Sequence, residues 1–164
     1  MKSVSVVSGG EPSRTVLTVI VALDGTPAAE VALPVAAAEA RAHGATLVLV
    51  RIVPQPFSPM TRPQHGPTPP VDGLDDGMLE ETRQEARNYL EEAGRRLAAD
   101  LKAEVVCESG DPFTGILAEV RRHPAPMLVM TSHATAARPL GPHSELARRL
   151  LTEGLSPTLL VPPA

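Results

Sequence analysis

Residues 16–23, VLTVIVAL, form a dense β-branched run that leads directly into Asp24-Gly25-Thr26-Pro27. An unbroken apolar run of this length is typical of a strand that is covered on both faces. Thr26 is a good N-cap residue and Pro27 suits the first helical turn, so a helix is predicted to begin as soon as the strand ends. A strand that passes straight into a helix is a unit from which parallel sheets are built.

The same alternation of apolar runs and helical patterns continues along the chain. Further strands are predicted at residues 46–53, 103–108, 127–130 and 158–161, and helices at residues 27–43, 75–100, 112–123 and 144–153. Pro34 lies inside the first helix and predicts a kink there. Short apolar strands joined by helices indicate an α/β fold, a parallel sheet with helices on both faces and right-handed crossovers.

The composition excludes several classes of protein. The chain has 164 residues, of which 43% are hydrophobic and only 2% aromatic, so one domain with an aliphatic core is expected. A net charge of -4 and the scarcity of aromatic rings offer no surface for nucleic acid. No apolar run approaches the roughly 18 residues of a membrane-spanning helix. We expect a soluble, cytoplasmic protein without a nucleic-acid or membrane partner.

Cysteine and histidine usage gives no sign of a disulfide or a metal site. Cys107 is the single cysteine, which excludes an internal disulfide, and no Cys/His cluster has the spacing of structural zinc. Cys107 lies on a predicted strand and is interpreted as a small buried hydrophobic residue. No bound metal is therefore expected.

Two segments are predicted to lie outside the regular structure. Residues 1–14 have an apolar stretch too short for a signal peptide and are interpreted as a disordered leader, so the domain is expected to span residues 15–164. Residues 54–70 contain seven prolines and are predicted to form a stiff, exposed loop. That loop is interpreted as a variable connector, and the alternative is a Pro-rich ligand for a partner domain.

Ligands of parallel sheets bind beyond the carboxyl ends of the strands, at the point where the strand order reverses. Three segments follow predicted strands in this way: residues 22–24, 52–53 and 130–145. The sequence contains neither the GxxxxGK[ST] phosphate loop nor the GxGxxG dinucleotide motif.

Three stretches together resemble the universal stress protein family: residues 16–53, GDPFTGIL at 110–117 and MLVMTSHATA at 127–136. Residues 145–151 and 156–161 extend the resemblance to nearly the whole chain. It implies a Rossmann-like sheet of five parallel strands in the order 3-2-1-4-5, with four helices on both faces, usually in a homodimer. Some members of the family bind ATP and others do not.

The resemblance also implies a nucleotide site. ATP-binding members carry an Asp at the end of the first strand and a loop Gly-x2-Gly-x9-Gly-[Ser/Thr] after the fourth. Asp24 matches the first feature, whereas the loop positions are occupied by Thr131, Ala134, Ser144 and Glu145, with only His133 retained. The site expected from this alignment comprises Ala22, Leu23, Asp24, Ile52, Met130, Thr131, His133, Ala134, Ser144 and Glu145. A shifted loop that uses Gly141 is the alternative alignment.

The substituted loop is poorly suited to a triphosphate. Glycines let backbone N–H groups approach phosphate oxygens, and the Thr131 and Ala134 side chains obstruct that approach. Glu145 adds repulsion between like charges, although it complements the dipole of the helix it begins. Asp24 has a structural alternative, as a residue that caps the first helix or holds a loop amide. His133 is interpreted as a surface histidine.

The first hypothesis is a non-enzymatic module that acts in stress-response regulation through an unknown client protein, with a degenerate ATP loop and no required cofactor. The alternative is an ATP-binding universal stress protein switch. A nucleotide hydrolase is disfavoured because no catalytic triad, metal cluster or general-base pair can be assembled from the sequence. No catalytic residue is therefore predicted.

The last strand carries the prediction on assembly. Thr158, Leu159, Leu160 and Val161 are expected to lie at a sheet edge, which is a pairing hazard unless something covers it. The resemblance implies that the same strand of a second subunit covers this edge, in a homodimer with a twofold axis. The alternative is a monomer whose edge is short enough to be harmless.

Overall fold

The computed structural model describes residues 5–7, 15–54, 76–97, 100–132 and 142–162. The strands are β1 (Ser5–Val7), β2 (Thr18–Ala22), β3 (Thr46–Val53), β4 (Ala103–Ser109), β5 (Pro126–Thr131) and β6 (Thr158–Val161). The helices are α1 (Pro27–Glu30), α2 (Ala32–His43), α3 (Asp76–Arg96), α4 (Pro112–Arg122) and α5 (Pro142–Glu153). The predicted Pro-rich loop lies outside the described residues, apart from Pro54.

The strands form one sheet in the order β1-β6-β5-β2-β3-β4. Neighbours among β2 to β6 all run parallel. Numbered as the five strands predicted from the sequence, the order from β4 to β6 is 3-2-1-4-5, which confirms the expected fold class. Strand β2 is central, because Thr18 pairs with Thr46 of β3 on one side and with Pro126 of β5 on the other.

Three residues of the predicted disordered leader form the outermost strand instead. Strand β1 pairs antiparallel with β6, with Ser5 opposite Leu160 and Val7 opposite Thr158. Strand β6, which was expected at the sheet edge, is therefore an inner strand. The physical reason is that a strand edge presents unpaired N–H and C=O groups, and a short β-branched segment of the same chain can satisfy them. The other residues of the leader lie outside the described part of the chain.

The first predicted helix is interrupted at Val31, between α1 and α2. Pro34 explains the position, because a proline has no N–H to donate to the carbonyl four residues earlier, here that of Glu30. The sequence predicts a kink at Pro34, and the interruption lies three residues before it. Thr26 is the N-cap, as predicted, since its Oγ1 accepts a hydrogen bond of 3.2 Å from the N–H of Ala29.

Two clusters of buried aliphatic side chains join the sheet to its helices, one on each face. On the first face, β2 and β3 pack against α2 and α3 through Val19, Val21, Leu47, Leu49, Ala32, Ala36, Ala40, Leu90 and Ala93. On the second, the sheet packs against α4 and α5 through Ile20, Val48, Val50, Leu128, Ile116, Leu117, Val120, Ala147 and Leu150. Successive residues of β2 and β3 alternate between the clusters, as the pleat of a strand requires. Burial of each large aliphatic side chain stabilises the fold by roughly 1.5–3 kcal/mol.

Helix α3 buries only some of its apolar residues. Ala86, Leu90 and Ala93 are fully buried, whereas Met78 is 56% exposed. The first turns of α3 are thus exposed, while its later turns cover β3 and β4. Among the described helices, none is both long enough and apolar enough to cross a membrane.

A buried acidic side chain lies near the end of α4. Glu119 has no exposed surface, and its Oε1 lies 2.7 Å from Nη1 of Arg122. Its Oε2 lies 3.3 Å from Nε2 of His123. Arg122 also approaches Glu108 of β4, at 3.6 Å. Buried carboxylates persist where such partners offset the cost of removing the charge from water. The network therefore ties the last turn of α4 to the sheet.

Candidate functional site

A cavity of about 700 Å³ lies at the carboxyl ends of β2, β3 and β5. Parallel sheets bind ligands at this edge, where the strand order reverses between β2 and β5. The predicted site residues that line it are Ala22, Leu23, Asp24, Ile52, Met130, Thr131 and Glu145. Most of the exposed lining is apolar. The structure thus brings together seven of the ten positions that the sequence predicts for the nucleotide site.

Asp24 holds the turn between β2 and α1. Its Oδ1 accepts hydrogen bonds from the N–H of Thr26 at 2.8 Å and from Thr26 Oγ1 at 2.7 Å. Such an Asx turn fixes the backbone direction at the start of the helix. The structural interpretation of Asp24, as a residue that holds a loop amide, is therefore confirmed, and the same side chain also lines the cavity.

Thr131 and Met130 close the cavity floor at the end of β5. Thr131 is 3% exposed, and its Oγ1 donates a hydrogen bond of 3.2 Å to the carbonyl of Ala29 in α1. A glycine at this position would lose that link between the sheet and the helix. Met130 is 4% exposed and packs in the second cluster.

The remaining predicted site residues follow β5. His133 and Ala134 lie outside the described residues, and Ser144 lies in α5, where only its backbone is described. Glu145, in the first turn of α5, is paired with Arg148, whose Nε lies 2.8 Å from its Oε2. The hydrogen bond from Arg148 lowers the pKa of Glu145 below its usual range. Glu145 is thus ionised at neutral pH and forms an ion pair with Arg148.

Arg51 of β3 also lines the cavity, and the sequence-based prediction missed it. Its guanidinium carbon lies 5.5 Å from the ring centroid of Tyr89 in α3. Burial, followed by the charge of Glu30, raises the pKa of Tyr89 to about 12, so the ring stays neutral. The signal that could have revealed Arg51 is a single charge inside the apolar run TLVLVRIV.

A second group of cavity-lining residues, which the site predicted from the sequence did not include, lies at the start of α4. Asp111 is the N-cap and its Oδ2 accepts hydrogen bonds from the N–H of Thr114 at 2.9 Å and from Thr114 Oγ1 at 2.7 Å. These bonds lower the pKa of Asp111. Beside it, the guanidinium carbon of Arg149 lies 3.8 Å from the ring centroid of Phe113. Asp111, Phe113 and Arg149 all line the cavity.

The described residues contain no group of three or more His, Cys, Asp or Glu side chains that could hold a metal ion. Cys107 is partly buried rather than fully buried, and its Sγ donates a 3.5 Å hydrogen bond to the carbonyl of Arg83. Burial raises the pKa of this thiol, so it is mainly protonated at neutral pH.

Comparison with known proteins agrees with the fold. The model of the universal stress protein family matches residues 15–153. A structure of a universal stress family protein from Burkholderia pseudomallei is 25% identical, with a TM-score of 0.68, and the match covers 93% of this chain and all of that one. Comparison with curated proteins returns no match.

Two further structures share the fold and contain a nucleotide. A universal stress protein in complex with cAMP is 20% identical, with a TM-score of 0.53 over 92% of this chain and 99% of that one. A universal stress protein from Archaeoglobus fulgidus in complex with dAMP is 17% identical, with a TM-score of 0.55 over 90% and 98%. Since the family model spans most of the sequence, this chain belongs to the universal stress protein family.

Proposed function

We propose that this domain is a non-enzymatic regulatory module of a stress response, and that its cavity binds an adenine mononucleotide in preference to ATP. The cavity of about 700 Å³ at the carboxyl edge of the sheet carries this proposal. Its volume lies within the roughly 300–1,000 Å³ of small-molecule sites. The complexes of two relatives with cAMP and dAMP support an adenine nucleotide as the ligand.

The lining favours a ligand with a planar, weakly polar body. Ala22, Leu23, Ile52 and Met130 offer aliphatic surface against which a base can be buried. Asp24 lies at the edge of that surface and carries carboxylate oxygens that can accept a hydrogen bond from an amino or hydroxyl group. This arrangement suits a nucleoside.

The charges in the cavity disfavour a triphosphate. Asp24, Asp111 and Glu145 contribute three carboxylates to the lining, against two guanidinium groups from Arg51 and Arg149. The lining therefore has a net negative charge, and each added phosphate of a ligand is repelled by it. A ligand with one phosphate is repelled less than a ligand with three. The pair between Glu145 and Arg148 reduces this repulsion without removing the charge.

The absence of enzymatic activity is part of the proposal. Within the described lining, the carboxylates of Asp24 and Asp111 accept hydrogen bonds from Thr26 and Thr114. The hydroxyls of Thr26 and Thr114, which these carboxylates also bind, are each held in the turn that begins their own helix. These observations support a domain that binds a ligand and signals through a partner protein.

Assembly as a homodimer is a further part of the proposal. The outer edge of β6 pairs with β1 of the same chain, so a second copy can reach that edge only when β1 leaves it. We therefore expect the twofold pairing of β6 with its copy to compete with the pairing of β1.

Calorimetric titration with AMP, cAMP, ATP and adenosine tests the proposed ligand. We expect micromolar affinity for AMP or cAMP and weaker affinity for ATP. Tighter binding of ATP than of AMP would support the ATP-binding switch instead. If none of the four compounds binds, the proposed nucleotide function is wrong.

The non-enzymatic part is tested by following each nucleotide by phosphorus NMR at high protein concentration. We expect no change in the phosphorus spectrum other than that caused by binding. Turnover that depends on the protein would contradict this part of the proposal.

A further inference from the structure

Arg51 is the one charged residue of β3, a strand whose other side chains belong mainly to the hydrophobic core. Its neighbours in β3, Val50 and Ile52, are 1% and 8% exposed and belong to the second cluster. The guanidinium group of Arg51 lies on the opposite face, where it faces Tyr89 and lines the cavity. A charge placed here costs stability relative to an aliphatic residue unless it is paired.

Two neighbours define the position of the guanidinium group. On one side it faces the ring of Tyr89, 5.5 Å from the centroid. On the other side it lies against the backbone of Gly25, where a β-carbon would be only 2.6 Å from Nη1 and 2.7 Å from Cζ. Gly25 has a φ of +88°, which side chains rarely adopt. The turn after β2 therefore leaves room for this cation in particular.

Arg51 forms no salt bridge with another residue of the described part of the chain. Among the residues that the structure describes, no carboxylate oxygen lies within 4 Å of this guanidinium, whereas Arg148 pairs with Glu145 and Arg122 with Glu119. Arg149, the other cation of the lining, stacks on Phe113 and acts on the carboxylates of Asp111 and Glu145. A partly buried guanidinium that no described carboxylate pairs with is suited to bind an anion from outside the protein.

We propose that Arg51 binds the phosphate of the nucleotide in this cavity, and that Tyr89 and Gly25 position it for that purpose. This inference rests on the proposed function and names the group that holds the ligand's charge. A single guanidinium donates two parallel hydrogen bonds to one phosphate group, which fits a nucleoside monophosphate or a cyclic monophosphate.

Comparison of AMP with adenosine in the variant Arg51→Gln tests this role. We expect Arg51→Gln to weaken AMP binding by about 10- to 100-fold, the value of a hydrogen bond to a charged group, and to leave adenosine binding unchanged. Arg51→Lys keeps the positive charge but loses the two parallel N–H donors, so it should weaken AMP binding less than Arg51→Gln does. Arg87→Gln is the matched control, because it removes the same charge from an exposed position of α3 outside the cavity lining.

The outcomes separate this inference from the proposed function. Equal losses of AMP and adenosine affinity in Arg51→Gln, or no loss of AMP affinity, would overturn the role of Arg51. If the parent protein binds neither compound, the nucleotide proposal fails, and the Arg51 site is then tested alone. In that case titration with inorganic phosphate, followed through the Nε–H signal of Arg51 by NMR, should shift this signal in the parent. An unchanged signal would overturn the anion site as well.

Discussion

The guanidinium group of Arg51 occupies the space in which a β-carbon on Gly25 would lie. The turn after β2 and the side chain from β3 therefore fit together, although they lie far apart in sequence. This fit determines what a minimal change at the turn would do.

Replacement of Gly25 by Ala should displace Arg51 and strain the turn. Because a side chain is disfavoured at a φ of +88°, the added β-carbon should lower the free energy of unfolding by about 1–2 kcal/mol. The displaced guanidinium should also weaken AMP binding. Gly154→Ala is the matched control, because Gly154 has a φ of +61° with nothing within 4 Å of the added carbon. Denaturant unfolding and calorimetry should show a loss of stability in both variants and a loss of AMP affinity only in Gly25→Ala. Similar AMP affinities in the two variants would contradict the fit.

The N-cap of α4 should make stability depend on pH. The pKa of Asp111 is lower in the folded protein than its usual value, because Thr114 donates hydrogen bonds to its carboxylate. The ionised group therefore stabilises the fold at pH values above the usual aspartate pKa of about 3.9, and this contribution is lost as the pH falls through the lowered folded pKa. We expect Asp111→Ala to cost about 1 kcal/mol at pH 7 and progressively less in acid.

The matched control for the cap is Asp111→Asn. Asn is also a good N-cap residue but does not titrate, so this variant should keep most of the stability at pH 7. Urea unfolding curves between pH 2 and pH 7 provide the measurement. A cost of Asp111→Ala that stays constant over this range would show that the charge of Asp111 does not contribute.

Replacement of Glu119 by Gln should destabilise the end of α4. Its carboxylate is fully buried, with Oε1 in an ion pair with Arg122 and Oε2 within hydrogen-bond distance of Nε2 of His123. A hydrogen bond to a charged group contributes roughly 1.5–3 kcal/mol. Glu85→Gln, on the exposed face of α3, is the control and should change the free energy of unfolding by less than about 0.5 kcal/mol. Equal effects in the two variants would show that the buried network adds nothing to stability.

Restoration of the family loop should shift the ligand preference toward ATP. The triple variant Ala134→Gly, Ser144→Gly and Glu145→Ser removes a charge and two side chains, so ATP affinity should rise on the order of tenfold. Thr131 is retained, because its hydroxyl binds the carbonyl of Ala29. Glu153→Ser removes the same charge at the opposite end of α5 and should leave the affinity unchanged. No gain in the triple variant would refute the alignment of this loop.

Disruption of β1 should favour dimers. Val6 faces Leu159 in the pairing of β1 with β6, and a proline at position 6 cannot donate a ladder hydrogen bond. Light scattering coupled to size exclusion should show a larger dimer fraction for Val6→Pro than for the parent, whereas Val6→Thr, which keeps a β-branched residue, should resemble the parent. If Val6→Pro remains at the same mass as the parent, competition at this edge is disproved. Substitutions in β6 are unsuitable here, because Leu159 and Leu160 pack in the two core clusters.

The sequence predicted those parts of the fold that depend on local patterns. The run at residues 16–23 and the cap at Thr26 each contain their own signal within a few residues, and each is confirmed. The strand β1 could not be predicted in this way. It has only three residues, and its strand conformation depends on the edge of β6, which lies at the other end of the chain.

The candidate site was predictable only in outline. The ends of β2, β3 and β5 meet because the sheet is parallel, and this places Asp24, Ile52 and Met130 around one cavity. The role of Arg51 could not be derived from its own neighbours in sequence, since it depends on Tyr89 from α3 and on the missing side chain of Gly25. Contacts of this kind arise only when separate elements pack together.

The central place of β2 also constrains the order in which the chain folds. Thr18 pairs with Thr46 and with Pro126, and the stretch of chain between the partners is roughly four times longer in the second pair. Bringing the ends of the longer stretch together therefore costs about 1.2 kcal/mol more in entropy. On this ground we expect the pairing of β2 with β3 to form before β5 joins the sheet. The cavity is lined from β2, β3 and β5, so we expect it to be complete only after that step. A molecule that binds there recognises only chains that have finished folding, and so protects them from unfolding in proportion to its concentration.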